Sequence, residues 1–310
     1  MTNALKAPFP WFGGKSKVAP VVWRAFAGIE NYVEPFAGSL AVLLAAPAPV
    51  AVETVNDADG LLANFWRALR AAPEAVAYFA DWPANECDLH ARHLWLLAHR
   101  ERITEHLMGD PDYYDVKAAG WWVWGLSLWI GGGWCSGKGP WHSVDGQLVK
   151  GDSGMGVHRQ SLQLGDPGSY PLGDYLAALS ARLRRVRVAC GDWSRVTGGS
   201  VLQPKRGCPY GVFLDPPYAE KVGMEYSGGH GDVAVAVRAW AIEQGADPCA
   251  RIALCTYSDE PMPDGWTLHR WKTAGGYANQ SKGQSAGPAN RDRERIWFSP
   301  QCAAIAEVQG

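Results

Sequence analysis

The chain lacks a surplus of charge of either sign: 29 Lys and Arg stand against 31 Asp and Glu, a formal net charge of −2 over 310 residues. Its overall field therefore cannot collect a polyanion, and a nucleic-acid partner needs a local basic face. Paired cysteines are missing too. The seven present (87, 135, 190, 208, 249, 255 and 302) contain no CxxC and make no even framework. That excludes a disulfide-stapled secreted scaffold and points to free thiols in a reducing compartment. Residues 1–10 hold no apolar signal-peptide core. An uncharged run from Ala118 to Gly137 is broken by Gly131-Gly132-Gly133. Its helical part, Ala118–Ile130, rises about 20 Å, too short for an apolar bilayer core. The run reads as buried and the protein as soluble. The fingerprint GxGxxG is absent, which argues against a pyrophosphate cradle. With 47% hydrophobic and 19% charged residues the chain is not disordered and can bury an ordinary core. Its length suits one large domain or a domain with a sizeable insertion.

What is present centres on Asp215-Pro216-Pro217-Tyr218, which follows the apolar run Gly211-Val212-Phe213-Leu214. An apolar stretch stopped by Pro-Pro reads as a buried strand ending at the carboxyl edge of a sheet. That edge is where open α/β folds hold their ligands. Proline fixes φ and has no N–H, so the pair leaves the Asp215 carboxylate and the Pro216 carbonyl as rigid acceptors. Tyr218 adds a flat π-face. Two acceptors and a ring form a clamp for the exocyclic amine of a flipped base. A Pro-rich turn after a core strand is the plainer alternative.

The segments before it read as a nucleotide fold. Pro10-Trp11-Phe12-Gly13-Gly14-Lys15 precedes a helix expected near Val18–Phe26. Its glycines allow close backbone approach, and Lys15 is a point charge suited to a carboxylate or phosphate. Tyr32-Val33-Glu34 reads as a strand running into Pro35-Phe36-Ala37-Gly38-Ser39 and a helix from Leu40 to Ala45, the first unit of a doubly wound sheet. A second strand is expected at Val50–Val55, then Asn56-Asp57-Ala58-Asp59 and a helix from Gly60 to about Arg70. An acid at that strand end can accept from a ribose diol, and an acid before a helix can cap it. The ribose is assigned to Asp57 and the cap to Asp59.

The middle of the chain is less periodic. Residues 73–102 read as helical, and Cys87, His90 and His93, three apart, read as a solvated helix face rather than a metal site, since no fourth ligand follows. A helix expected over Asp112–Ile130 carries Trp121, Trp122, Trp124 and Trp129. Trp134, Lys138 and Trp141 follow among glycines, where rings either pack or stack on bases. From 131 to 170 no periodicity appears, the mark of a long insertion. A helix at 172–183 and a strand at 184–190 lead into Gly191-Asp192-Trp193, an acid and an aromatic that suit an adenine amine and ring; an ordinary turn has the same composition. A helix is expected at Gly231–Gln244, with strands at Arg251–Thr256, Trp266–Trp271 and Arg295–Ser299. Residues 273–293, rich in Gly, Ser, Lys and Arg, read either as a solvated loop or as one that orders on a phosphate backbone.

Taken together, Trp11–Lys15, Glu34–Ser39, Asn56–Asp59, Gly191–Trp193 and Asp215–Tyr218 resemble the motif series of the Dam-type DNA adenine-N6 methyltransferases, in the same order. The resemblance covers roughly residues 8–70 and 185–260. It implies a Rossmann-like α/β fold, a mixed sheet with a reversed C-terminal hairpin, plus a mostly helical target-recognition insertion. Residues 1–75 and 185–310 would form the catalytic domain and 76–184 the insertion. The implied cofactor is S-adenosylmethionine, the partner double-stranded DNA and the location cytoplasmic, in a bacterium or phage; neither metal nor membrane is implied. Trp11, Gly13, Gly14 and Lys15 would line the methionine end, with Lys15 near its carboxylate. Glu34, Pro35, Phe36, Gly38 and Ser39 would form the pocket wall. Asp57 would hold the ribose, with Asp192 and Trp193 at the adenine. Asp215, Pro216, Pro217 and Tyr218 would be catalytic. Lys138, Arg159, Lys282 and Arg291 are the DNA-contact candidates. N4-methylation of cytosine, or a DNA-binding protein that has lost catalysis, are the competing readings.

Overall fold

The Pro-Pro stop after Leu214 does what its chemistry demands: Tyr210–Leu214 is a strand buried at every position, and it ends one residue before Asp215. In this computed structural model the described residues are 5–9, 11, 14–129, 134–135, 141–144, 147–150, 171–203, 207–217, 230–256, 261–271 and 295–304. In chain order the elements are α1 (Ala19–Ala25), β1 (Asn31–Glu34), α2 (Ala41–Leu44), β2 (Val52–Asp57), α3 (Gly60–Ala71), α4 (Pro73–Ala80), α5 (Glu86–Gly109) and α6 (Val116–Leu128). There follow β3 (Trp141–Val144), β4 (Gln147–Lys150), α7 (Leu172–Leu183), β5 (Val186–Cys190), α8 (Gly199–Leu202), β6 (Tyr210–Leu214), α9 (His230–Gln244), β7 (Ala250–Thr256), β8 (Thr267–Arg270) and β9 (Arg295–Phe298). No described helix is long and apolar enough to cross a membrane.

Three expectations about the elements need correction. The second strand lies two residues further on than its apolar run, because pairing with β1 begins at Val52 and the strand continues through Asn56 to Asp57. The helix expected over 73–102 is two helices. Pro83 sits in the break between them, where a missing N–H ends a helical ladder, and Asn85 restarts it by accepting from the Asp88 N–H at 3.2 Å. Within 131–170, where no element was expected, β3 and β4 pair as an antiparallel hairpin, Trp141 opposite Lys150 and Val144 opposite Gln147. Strands of four residues are too short to show a period.

The chain divides into two compact units. The first comprises Met1–Ala4, Phe12–Asn56 and Asp192–Gly310. Its strands lie in the order β2-β1-β6-β7-β9-β8. β2, β1, β6 and β7 are parallel, while β9 runs antiparallel to both β7 and β8. This is a mixed sheet with one reversed strand, consistent with a methyltransferase fold. β1 and β6 are wholly buried, as parallel strands covered on both faces must be. Gly211 lets the segment after α1 press onto β6: a Cβ there would lie 2.7 Å from the Phe26 ring and 2.8 Å from Ile29. Asn31, 3% exposed, donates from Nδ2 to the Val201 and Leu202 carbonyls at 2.7 and 2.8 Å, satisfying acceptors at the end of α8.

The second unit, Leu5–Trp11 and Asp57–Gly191, is mostly helical. Phe9, Phe65, Trp66 and Trp122 form an aromatic core with neighbouring ring centroids 4.8–5.7 Å apart. The tryptophans of α6 therefore pack. Trp122 and Trp124 are almost wholly buried, and Trp124 receives the Arg92 guanidinium 4.1 Å from its ring centroid. The 87–90–93 series is not one solvated face, since Cys87 is exposed, His90 half-buried and His93 fully buried. His93 stacks on Trp129 with centroids 4.7 Å apart, and its Nδ1 accepts from the Cys135 N–H at 3.3 Å. Among the described residues no cluster of His, Cys, Asp and Glu could hold a metal ion.

Candidate active site

Lys15 and Asp215 lie two hundred residues apart in sequence, yet the Lys15 Nζ is 2.9 Å from the Asp215 Oδ2 in the first unit. Each arrives there for a local reason. The Val18 and Ala19 amides donate to the Lys15 carbonyl at 3.1 and 2.9 Å, so the lysine backbone is anchored in the turn that opens α1. Asp215 is carried by β6, whose last residue, Leu214, pairs with Leu254 of β7. It thus stands at the carboxyl edge of the parallel strands, followed by buried Pro216 and half-buried Pro217. The Lys15 side chain is 5% exposed and that of Asp215 18%. At that burial an ammonium needs an anion beside it, and removing either partner costs more than breaking an exposed pair. The Lys15 Nζ also lies 5.9 Å from the Trp271 ring centroid. Trp271 was not foreseen as a site residue. It closes the β8 segment, and nothing in its local sequence distinguishes a ring that packs from one that faces a lysine.

At the neighbouring strand end, the turn after β1 is fixed by Asn56. The Ala37 N–H donates to the Asn56 carbonyl at 2.9 Å, and the Asn56 Nδ2 returns a bond to the Pro35 carbonyl at 3.0 Å. Gly38 at φ 47 and Leu40 at φ 60 both occupy the left-handed region. For leucine that conformation costs about 1–2 kcal/mol, held here by complete burial of its side chain. Pro35, Gly38 and Ser39 are buried as well. Glu34, 2% exposed, accepts from the Tyr32 hydroxyl at 2.9 Å. Burial, and then the Glu34 carboxylate, hold the Tyr32 phenol well above its usual range, so it remains a donor. Phe36 stacks with Trp193 at 6.4 Å and 27°, and Trp193 meets Trp240 edge-on at 5.9 Å. Asp192 caps the 3₁₀ turn Trp193–Val196, its Oδ1 accepting from the Ser194 N–H at 2.9 Å.

Trp11 and Asp57 belong to the second unit. The Trp11 ring packs on Phe9 and Trp122. The Asp57 Oδ1 accepts from the Asp59 N–H at 3.0 Å, and Asp59 caps α3 through the Leu61 N–H at 2.9 Å, the cap expected of Asp59. Arg100 steadies the turn by pairing with Asp59 at 3.1 Å while donating to the Cys135 carbonyl at 2.7 Å. Sequence alone did not single out Arg100. Gly14 is exposed. Gly13, Tyr218, Lys138, Arg159, Lys282 and Arg291 lie outside the described residues.

The first unit holds three features at or near its strand ends that bear on ligand binding. They comprise one buried ammonium, a left-handed glycine turn and a stacked Phe–Trp pair. No curated protein matches the chain. Residues 11–86 match the family model of the D12 class N6 adenine-specific DNA methyltransferases, so that stretch, about a quarter of the chain, is similar to this family.

Proposed function

We propose that the chain moves a methyl group from S-adenosylmethionine to N6 of a flipped adenine in double-stranded DNA, with Asp215 and the Pro216 carbonyl as the clamp for the amine. The observation that carries this reading is the position of Asp215. It is an acid followed by two prolines at the carboxyl edge of the buried strand β6, with the Lys15 ammonium 2.9 Å away. The matched span 11–86 contains Lys15 but ends well before Asp215, so the ion pair ties the catalytic candidate to the stretch that resembles the family.

The adenine N6 lone pair is delocalised into the ring and attacks poorly. An amine that donates to the Asp215 carboxylate and the Pro216 carbonyl is drawn towards a pyramidal geometry, and the carboxylate stabilises the positive charge that grows on nitrogen. Bound S-adenosylmethionine supplies an activated methyl on a sulfonium, which leaves the chain chiefly the work of orientation. Phe36 and Trp193 offer faces to a purine, and Lys15 is the cation paired with the clamp's carboxylate. Asp57 keeps the ribose role assigned from its place at the end of β2. Flipping the base costs a few kcal/mol, which stacking on an aromatic ring such as Tyr218 offsets by about 1–3 kcal/mol. Residues 76–184 are assigned to target recognition, with Lys138, Arg159, Lys282 and Arg291 meeting the phosphates.

Transfer of labelled methyl to DNA tests the reading. Asp215→Ala is expected to lower the rate by at least ~10²-fold while calorimetric binding of S-adenosylhomocysteine persists. Methylation by that variant at the native rate would remove Asp215 from the active site. Mass spectrometry of the hydrolysed nucleosides separates N6-methyladenine from N4-methylcytosine.

A further inference from the structure

Lys15 takes one oxygen of the carboxylate that the substrate amine is proposed to use and neutralises its charge. Its Nζ is 2.9 Å from the Asp215 Oδ2. An ammonium held at that distance competes with the amine for the carboxylate's charge, and it opposes the positive charge that grows on nitrogen during attack. Lys15 cannot simply retreat uncompensated, because its side chain is only 5% exposed and a buried ammonium without an anion is costly. Its backbone is also fixed, by the Val18 and Ala19 amides on its carbonyl. What can move is the four-carbon stem with its charged tip. The Trp271 ring, 5.9 Å from Nζ, offers a second surface along which that tip can remain solvated by π-electrons.

We propose that Lys15 is a positioning residue that couples cofactor binding to capture of the base, by exchanging Asp215 for the carboxylate of the cofactor's amino-acid end. This rests on the reading of the site given above. In the free protein Lys15 holds the Asp215 carboxylate and keeps it from a chance amine. A ligand carboxylate provides the replacement anion, the ammonium transfers to it, and Asp215 becomes available to the adenine. Cofactor therefore binds first and the flipped base second. No covalent bond changes, and Lys15 stays an ammonium throughout.

The exchange has a signature that needs neither DNA nor turnover. Calorimetry on the full chain compares S-adenosylhomocysteine, which has the carboxylate, with 5′-methylthioadenosine, which lacks it. Because Asp215 competes for Lys15, Asp215→Asn is expected to bind S-adenosylhomocysteine about three- to tenfold tighter than the native chain and methylthioadenosine unchanged. Lys15→Met is expected to weaken S-adenosylhomocysteine by about tenfold, the scale of one charge-assisted hydrogen bond. In the double variant the gain from Asp215→Asn disappears. If Lys15→Met does not fold, the contrast between the two ligands in Asp215→Asn decides alone. The proposal is overturned if Asp215→Asn binds S-adenosylhomocysteine no tighter, if both ligands gain equally, or if the two substitutions act additively. Failure of the native chain to bind either nucleoside would instead overturn the cofactor reading and the exchange with it.

Discussion

His93 provides a test of the second unit that needs no knowledge of the target sequence. Burial, and secondarily the neighbouring His90, lower its pKa from the ordinary 6.5 to about 4. The ring lies against Trp129 and Trp134, its Nδ1 accepts from the Cys135 amide, and Nε2 has no hydrogen-bond partner among the described residues. An accepting Nδ1 places the proton of the neutral ring on Nε2. The folded-state pKa is the lower one. Below pH 6.5 the unfolded chain takes up a proton that the folded chain refuses, so stability falls as pH drops from about 6.5 to about 4 and then levels off. A separation of two to three pH units amounts to about 3 kcal/mol. His93→Phe keeps the stacking surface and cannot titrate, but it leaves the Cys135 N–H without its acceptor, at a cost of about 1–3 kcal/mol at neutral pH. Urea unfolding of both proteins from pH 7.5 to pH 4 should give curves that converge or cross, with the native chain losing about 3 kcal/mol more than the variant. Parallel curves would show that His93 titrates as a solvated imidazole and that the packing described around it is wrong.

Other outcomes follow from single contacts. Gly125→Ala would drive a Cβ into the Trp134 ring, and a loss of about 1–3 kcal/mol in urea unfolding is expected from such overpacking. Asp59→Ala removes both the cap on the Leu61 N–H and the Arg100 pair; about 1–2 kcal/mol should be lost, and the same melts will show it. Asp57→Ala should weaken calorimetric binding of S-adenosylhomocysteine by about tenfold or more, beside a loss of about 0.5–1.5 kcal/mol in stability from the Asp59 N–H bond. Unchanged affinity would take the ribose role from Asp57.

Much of the architecture was written in short stretches of sequence, because the signals that carry it act through the backbone within a few residues. Two prolines after Leu214 deny the ladder its donors and end β6 wherever the rest of the chain lies. The acid before Gly60 caps α3 because the first free amides of the helix are next to it. The alternation of strand and helix predicts a doubly wound α/β sheet, and the family resemblance adds the reversal at its C-terminal end; the four parallel strands and reversed β9 agree with both. What tertiary structure decided is which distant groups meet. Helical spacing alone cannot tell a solvated His93 from a buried one, since that depends on Trp129 and Trp134 arriving from another segment. The same holds at the site. Lys15 has the charge to serve any anion, and only the pairing of β1 with β6, following α1, brings Asp215 to it, because an ion pair forms by proximity in space and leaves no trace in the spacing of residues along the chain.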